Sequence, residues 1–529
     1  LGPVERPVGP LDQRVDVGRA AAGRPGIDAG EPDRHGRRDR AAARQGHGQG
    51  RDGAAQPLDL ELSLHDLMLS HEDVARAMVG AGWARDHRWV PQWGDWLRWS
   101  DGVWRARSDG EAVRDFRAFL SRAAAEVAQV AGEEIARVVA AQRAGSNSQT
   151  KTTGQVARDE AKMRKELGSV AFDKALENKM RSEAEASAAS FNADPLLLGT
   201  PGGVVDLRTG ELRAGRREDM ISRSAAVAPA DEGARSAEWE RFLGEAFPDD
   251  PPMWDFLQRL AGYCLTGLTR EERFFFFYGG GRNGKGTFLE TLYALMGEYA
   301  CTAPSGLFLS NTNLNAENFL AGIDGARMIW ASEIDRGRSW NEALLKEITG
   351  GDTITAKRLY RDPFSFKPQA TLIIAGNTQP NFRGVDQAMR SRVALVPFEQ
   401  CFDGKEDRGL KLRLRGKEAP AIVRWAVDGA KKYLRDGLPL PQTVEAASRE
   451  YMDDEDTVLG FIGEECEKDA EAWTPTSLLH ERFSEWMVRQ GVKPWGQRTL
   501  TKELKSKGFR ITSRDTRGVR GLRLKGQLM

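Results

Sequence analysis

No histidine lies between His87 and His480 in this chain of 529 residues. A stretch of that length without imidazole cannot house a Cys2His2 zinc site or a Ser-His-Asp triad. Chemistry there falls to carboxylates, lysine, arginine and amides, with a hard metal where one is needed. Cysteine is equally sparse. Cys264, Cys301, Cys401 and Cys466 stand far apart with no CxxC pair, which excludes a disulfide framework and reads as reduced thiols of a cytoplasmic protein. No apolar run approaches the ~18–20 residues that cross a bilayer, and no secretory pattern opens the sequence, so no membrane partner is expected. Net charge is absent too, with 77 Lys/Arg against 77 Asp/Glu. Any nucleic-acid surface must therefore be local.

The first 63 residues have few large apolar side chains and are rich in Arg, Gly, Ala, Asp and Pro. Such a segment cannot offset its ordering entropy by burial, and it reads as a disordered or mis-assigned tail, the first methionine being Met68. Residues 64–110 concentrate Trp83, Trp89, Trp93, Trp96, Trp99 and Trp104 in a small β unit with a hairpin turn at "SDG". Six tryptophans there form either a small core or a base-stacking surface. Residues 111–190 are Ala-, Glu-, Lys- and Arg-rich and read as helices broken by a polar linker. Residues 191–270 begin with the β pattern "DPLLLGTPGGVVDLRTGELR" and continue with apolar residues at helical spacing.

The densest glycine cluster follows, in "RFFFFYGGGRNGKGTFLETLYALMG". Phe274 to Tyr278 is a continuous apolar run, expected of a strand covered on both faces. Gly279-x4-Gly284-Lys285 then fits a phosphate-binding loop made of Gly279, Gly280, Gly281, Arg282, Asn283, Gly284, Lys285, Gly286, Thr287 and Phe288. Successive N–H groups and a helix N-terminus surround the phosphates, and the lysine reaches the β- and γ-phosphates. The hydroxyl that holds Mg2+ normally stands directly after the lysine. Gly286 occupies that place here, and Thr287 is the nearest substitute.

Downstream, "ARMIWASEID" is an apolar strand ending in Glu333 and Asp335, where a carboxylate can hold Mg2+ and polarise water. "ATLIIAGN" is a third strand and ends in Asn377, an amide placed to sense a γ-phosphate. Arg390 and Arg392 precede a fourth strand, and either could reach a neighbouring subunit's nucleotide. Between the second and third strands a hairpin carries Lys357, Arg358, Tyr360 and Arg361, cations and an aromatic suited to a nucleic-acid backbone.

The series "GGGRNGKGTF", "ASEID", "LLKEITGGDTITAKRLY", "LIIAGNTQP" and "RSRVALVPF" resembles a superfamily 3 helicase, most closely the C-terminal half of phage and plasmid primase-helicases, which are related to the poxvirus primase-helicase. The resemblance extends over about residues 80–510 and implies an α/β fold with an AAA+-like P-loop ATPase core over 271–445, after an α-helical N-terminal domain. It implies ATP and Mg2+ as cofactors and a ring, usually hexameric, with ATP held between subunits. Lys285 and Thr287 would bind nucleotide and metal, Glu333 would activate water, and Asn377 would be the sensor. Arg390 or Arg392 would act in trans. Lys357 and Arg358 would grip DNA in the channel. Asp335 is set apart from Glu333 by Ile334, where related motifs often have adjacent acids.

Residues 455–529 read as helix, turn and strand pair, the order of a basic winged-helix-like domain. From Arg489 to Lys525 there are twelve Lys/Arg against Glu503 and Asp515, a local field suited to duplex DNA. The expectation is an ATP-driven DNA helicase of a phage, plasmid or integrated element. It would act on single- and double-stranded DNA beside a separate primase and host replication proteins, without a primer-synthesis domain of its own. An ATP-switched replication initiator or loader that does not unwind, and an adenylate kinase-like phosphotransferase, are the alternatives.

Overall fold

Phe274, Phe275, Phe276 and Phe277 have no exposed surface, and the arrangement around them follows from that. In the computed structural model, which describes residues 68–107, 109–145, 151–310, 316–332, 339–357, 363–382, 387–404, 407–513 and 516–526, they form the centre of a parallel sheet. The tail over residues 1–63 lies outside the described residues. The sheet consists of β1 (Phe274–Tyr278), β2 (Ala300–Ala303), β3 (Met328–Ser332), β4 (Thr371–Gly376) and β5 (Val393–Pro397). Its order is β5-β1-β4-β3-β2, with every pair parallel.

Alternation along the strands divides the side chains between two cores. Phe275, Phe277, Ile373, Ala375, Ala394 and Val396 enter one; Phe274, Phe276, Leu372, Ile374, Val393 and Leu395 enter the other. Each buried phenylalanine contributes about 1.5–3 kcal/mol relative to exposure. The first core is covered by helices Ala237–Ala246, Pro251–Thr266, α1 (Lys285–Met296) and Ala419–Asp436. The second holds Trp340, Leu344, Leu345 and Ile348 around the short helix Glu342–Thr349. Helix α2 (Gln387–Arg392) leads into β5, and α3 (Leu410–Arg415) follows it. The edge strand β5 is covered by helix Gln442–Asp454, whose Ser448 hydroxyl accepts from the Leu395 N–H at 2.8 Å.

Upstream, strands Leu197–Thr200, Gly203–Asp206 and Glu211–Arg213 form an antiparallel sheet. Arg327, just before β3, is wholly buried and ties that sheet to the core. Its guanidinium donates to Leu265 O at 2.5 Å and Leu197 O at 2.8 Å, and lies 4.4 Å over the Tyr299 ring. The Tyr299 hydroxyl in turn accepts from the Gly199 N–H and donates to Arg223 O, both at 3.0 Å.

The tryptophan-rich segment is a three-stranded antiparallel sheet, His87–Val90, Asp95–Ser100 and Val103–Arg107. Its second turn puts Asp101 and Gly102 at positive φ, the conformation a two-residue hairpin demands. Trp96 and Trp104 are buried and the other four tryptophans are half-buried. Three helices follow, Asp109–Arg143, Thr153–Leu167 and Val170–Glu183.

At the C-terminal end, α4 (Thr457–Glu465) is followed by strand Cys466–Pro475, helix Thr476–Arg489, α5 (Gln497–Ser506) and strands Arg510–Ser513 and Arg517–Leu524. The last strand is the centre of their three-stranded sheet. Among the described residues no helix is long and apolar enough to cross a membrane.

Candidate nucleotide-binding site

β1 ends where the backbone turns sharply through Gly279, Gly281, Arg282 and Gly284, all at positive φ. Gly279 has φ 153°, and a Cβ there would lie 2.1 Å from the Asn283 amide nitrogen and 2.2 Å from Phe398 O. Only glycine fits that position. The crowding comes from the segment after β5, which pins the loop: Phe398 N–H donates to Tyr278 O, Asn283 Nδ2 to Phe398 O, and Phe402 N–H to Arg282 O, at 2.8, 2.7 and 2.8 Å. Arg282 is exposed and pairs with Asp403.

Gly284 caps α1 with no side-chain partner, and Lys285 opens the helix. The Lys285 Nζ donates to Gly279 O at 2.8 Å, Asn283 Oδ1 at 3.0 Å and Asn377 Oδ1 at 3.4 Å. Asn377 reaches it because Gly376 pairs with Tyr278 in the sheet, so the residue after β4 stands beside the start of the loop. Lys285 is 7% exposed, and burial lowers its pKa to about 8. All three partners are neutral, and among the described residues no carboxylate pairs with it. A desolvated cation held by carbonyl oxygens and aimed past an uncapped helix N-terminus is a receptor for an anion. Thr287 sits half-buried in the same first turn.

Glu333 and Asp335 lie outside the described residues; Ser332, which precedes them, pairs with Ala375 on the strand next to Asn377. Arg358, Tyr360 and Arg361 also lie outside. Lys357 is exposed at the end of strand Ile354–Lys357, which pairs antiparallel with Pro363–Phe366.

Arg390 and Arg392 are not brought to Lys285. They sit on α2 ahead of Val393, which pairs with Phe274, at the opposite end of the parallel strands. A five-residue strand separates the two ends by about 15 Å. The Arg390 guanidinium donates to Asp453 Oδ1 at 2.7 Å, Asp456 Oδ2 at 2.8 Å and Met452 O at 3.2 Å. Burial works against its charge, but these carboxylates outweigh it and raise the arginine's pKa. Arg392 is held more loosely, by Ala388 O at 3.1 Å and the exposed Glu272 at 3.2 Å.

Two contributors had no local sequence signal, and a third, Asn283, was expected in the loop without its particular bonds. Asn283 acts through both amide atoms, the Phe398–Phe402 segment comes from over a hundred residues away, and Asp456 stands in the acidic run "YMDDEDT". Asn283, at least, is marked by its place inside the glycine loop.

The arrangement defines an α/β protein with a parallel five-stranded sheet and an anion-receptive glycine loop at its C-terminal edge. Three family models match the chain: D5 N terminal like over residues 77–248, a family of unknown function (DUF5906) over 277–392, and Poxvirus D5 protein-like over 453–512. A putative helicase of Acanthamoeba polyphaga mimivirus is 28% identical over 294 residues, covering 51% of this chain and 30% of that protein. The "Putative helicase 022R" of Frog virus 3 is 25% identical over 390 residues, covering 56% of this chain and 39% of that protein. "Primase D5" of Fowlpox virus is 25% identical over 153 residues, covering 28% and 19%. The D5 N terminal like and Poxvirus D5 protein-like matches, with the similarity to proteins named putative helicases and a primase, support a member of the primase-helicase family, and the chain spans well under half the length of the curated relatives it matches.

Proposed function

We propose that this chain is the ATP-hydrolysing motor of a ring-forming DNA helicase that serves replication, with an AAA+-like P-loop core and a winged-helix-like DNA-binding module at its C-terminal end. The observation that carries the reading is Lys285, a buried cation with three neutral oxygen partners and no paired carboxylate among the described residues. A triphosphate supplies the charge that is missing. Gly279 to Phe288 cradle it, and Asn377, already in contact with the lysine, orients the attacking water or senses the γ-phosphate.

The donors at the site are hard oxygens, the Thr287 hydroxyl and the Asn377 carbonyl, and suit Mg2+. Thr287 and Glu333 would hold that ion, with Asp335 as a second acid. Bound there, it neutralises charge on the β- and γ-phosphates. Glu333 polarises the water. Arg390 and Arg392 stand too far from the chain's own Lys285 to serve it, which supports a role in trans on a neighbouring subunit. Arg392 is the better placed, because Arg390 is committed to Asp453 and Asp456.

The exposed hairpin with Lys357, and beyond it Arg358, Tyr360 and Arg361, contacts the DNA strand. At the C-terminal end, Arg498, Lys502 and Lys505 lie exposed along one face of α5, opposite the buried Leu500 and Leu504. That face suits duplex phosphates. Fork unwinding with ATP, run beside ATP turnover with and without single-stranded DNA, tests the reading. Turnover should rise several-fold with DNA; flat turnover with an intact fork would sink it.

A second reading is an ATP switch that loads or initiates without unwinding. It is favoured by the link from Arg390 through Asp456 to Lys507, which joins α2 to the C-terminal module. DNA-stimulated turnover with an intact fork would select it.

A further inference from the structure

Gly286 stands where a hydroxyl normally follows the phosphate-loop lysine, yet the space beside it is occupied. A Cβ at Gly286 would lie 3.3 Å from Glu290 Oε1 and 3.8 Å from Lys411 Nζ. Glu290 is one turn along α1 on the same face. Lys411 reaches over from α3 and donates to Glu290 Oε1 at 2.6 Å, while Arg415 takes the other carboxylate oxygen. Burial opposes ionisation of Glu290, but the bonds from Lys411 and Arg415 prevail and hold its pKa below the usual value. An ammonium thus hangs over the first turn of the helix that begins with Lys285.

We infer that Lys411 is a further nucleotide-binding residue, whose ammonium passes from Glu290 to a phosphate oxygen when nucleotide occupies the loop. The inference rests on the reading of Gly279–Phe288 as a nucleotide site. Two features separate Lys411 from an ordinary surface ion pair. Glu290 has two cationic partners, so the departure of one leaves its charge still paired with Arg415. The Lys411 side chain is 43% exposed and is free to swing. A phosphate held by N–H groups and Lys285 offers more charge than a carboxylate already shared with Arg415.

The test is titration of the full chain with a fluorescent ATP analogue and Mg2+. Lys411→Ala should weaken binding about tenfold, the worth of one charge-assisted hydrogen bond. Lys411→Arg should recover most of that loss. Arg415→Ala removes the other partner of Glu290 and should leave affinity within about twofold. Unchanged affinity in Lys411→Ala would overturn the inference, as would equal losses in Lys411→Ala and Arg415→Ala, the pattern of a purely structural ion pair. Lys285→Ala separates the two levels. If it abolishes binding while Lys411→Ala does not weaken it, only the role of Lys411 fails. If it binds normally, the nucleotide site itself fails.

Discussion

Arg390 and Asp456 meet at 2.8 Å across the junction between the parallel-sheet core and α4. Asp456 is 3% exposed, accepts from the Val458 and Leu459 N–H groups, and also pairs with Lys507. One carboxylate therefore caps a helix and neutralises two cations from different parts of the chain. Asp456→Ala should cost about 3–5 kcal/mol, since it removes the helix cap and strips the half-buried Lys507 of its carboxylate, while Arg390 keeps only Asp453. Denaturant unfolding measures this, and a loss under about 1 kcal/mol would mean that the junction is not stabilising.

Arg392 has weaker ties, and its role is separable from that of Arg390. Arg392→Ala should lower ATP turnover about 10³-fold while each subunit still binds nucleotide. Mixing it with Lys285→Ala subunits, which keep the arginine, should restore part of the activity. A mixture as inactive as its components would remove Arg392 from the neighbour's site.

The lowered pKa of Lys285 gives a pH dependence with a definite sign. In the unfolded chain the amine titrates near 10.4, and in the free folded protein near 8, because burial penalises the charged form. Stability of the nucleotide-free protein should thus rise between about pH 8 and 10.4, where only the unfolded chain still binds the proton. Phosphate favours the charged amine, so ATP binding should take up a proton in the same window. Affinity should be level below about pH 7.5 and fall by up to about tenfold per pH unit above 8. Calorimetric titration in two buffers of different ionisation enthalpy reads the proton directly. No uptake at pH 9 would show that Lys285 stays charged without ligand.

Lys357→Ala should reduce stimulation of ATP turnover by single-stranded DNA. It should also flatten the salt dependence of DNA binding by about one unit of log-log slope, as the loss of one phosphate contact requires. Binding measured from 50 to 300 mM salt tests it, and an unaltered slope would place the DNA elsewhere.

Much of the site was legible because its parts are short, local and apolar-to-polar in order. The run Phe274–Tyr278 reads as a strand with both faces covered, and the two cores divide its phenylalanines residue by residue. Lys285 and Asn377 stand at the ends of recognisable elements, and parallel register brings them together. What stayed hidden depends on distance along the chain. Nothing in "FEQCF" announces that Phe398 and Phe402 fasten the glycine loop, and nothing in "LKLRLR" says which cation overlies Gly286. Charge counting also overstated the C-terminal field. Arg489, Lys507, Arg520 and Arg523 are each paired with a carboxylate, three of them on the polar strand Cys466–Pro475 or the residue before it, a strand whose composition does not suggest one.

Arg327 sets a limit on where the chain can be divided. The family models leave a gap between residues 248 and 277, an inviting place to cut. Across that gap a guanidinium with no solvent contact spends its hydrogen bonds on Leu197 O and Leu265 O, both upstream. A fragment starting at residue 271 would keep the arginine and lose both acceptors. The upstream sheet is in this sense part of the chassis of the parallel-sheet core, and the two would have to be inherited, expressed and exchanged together.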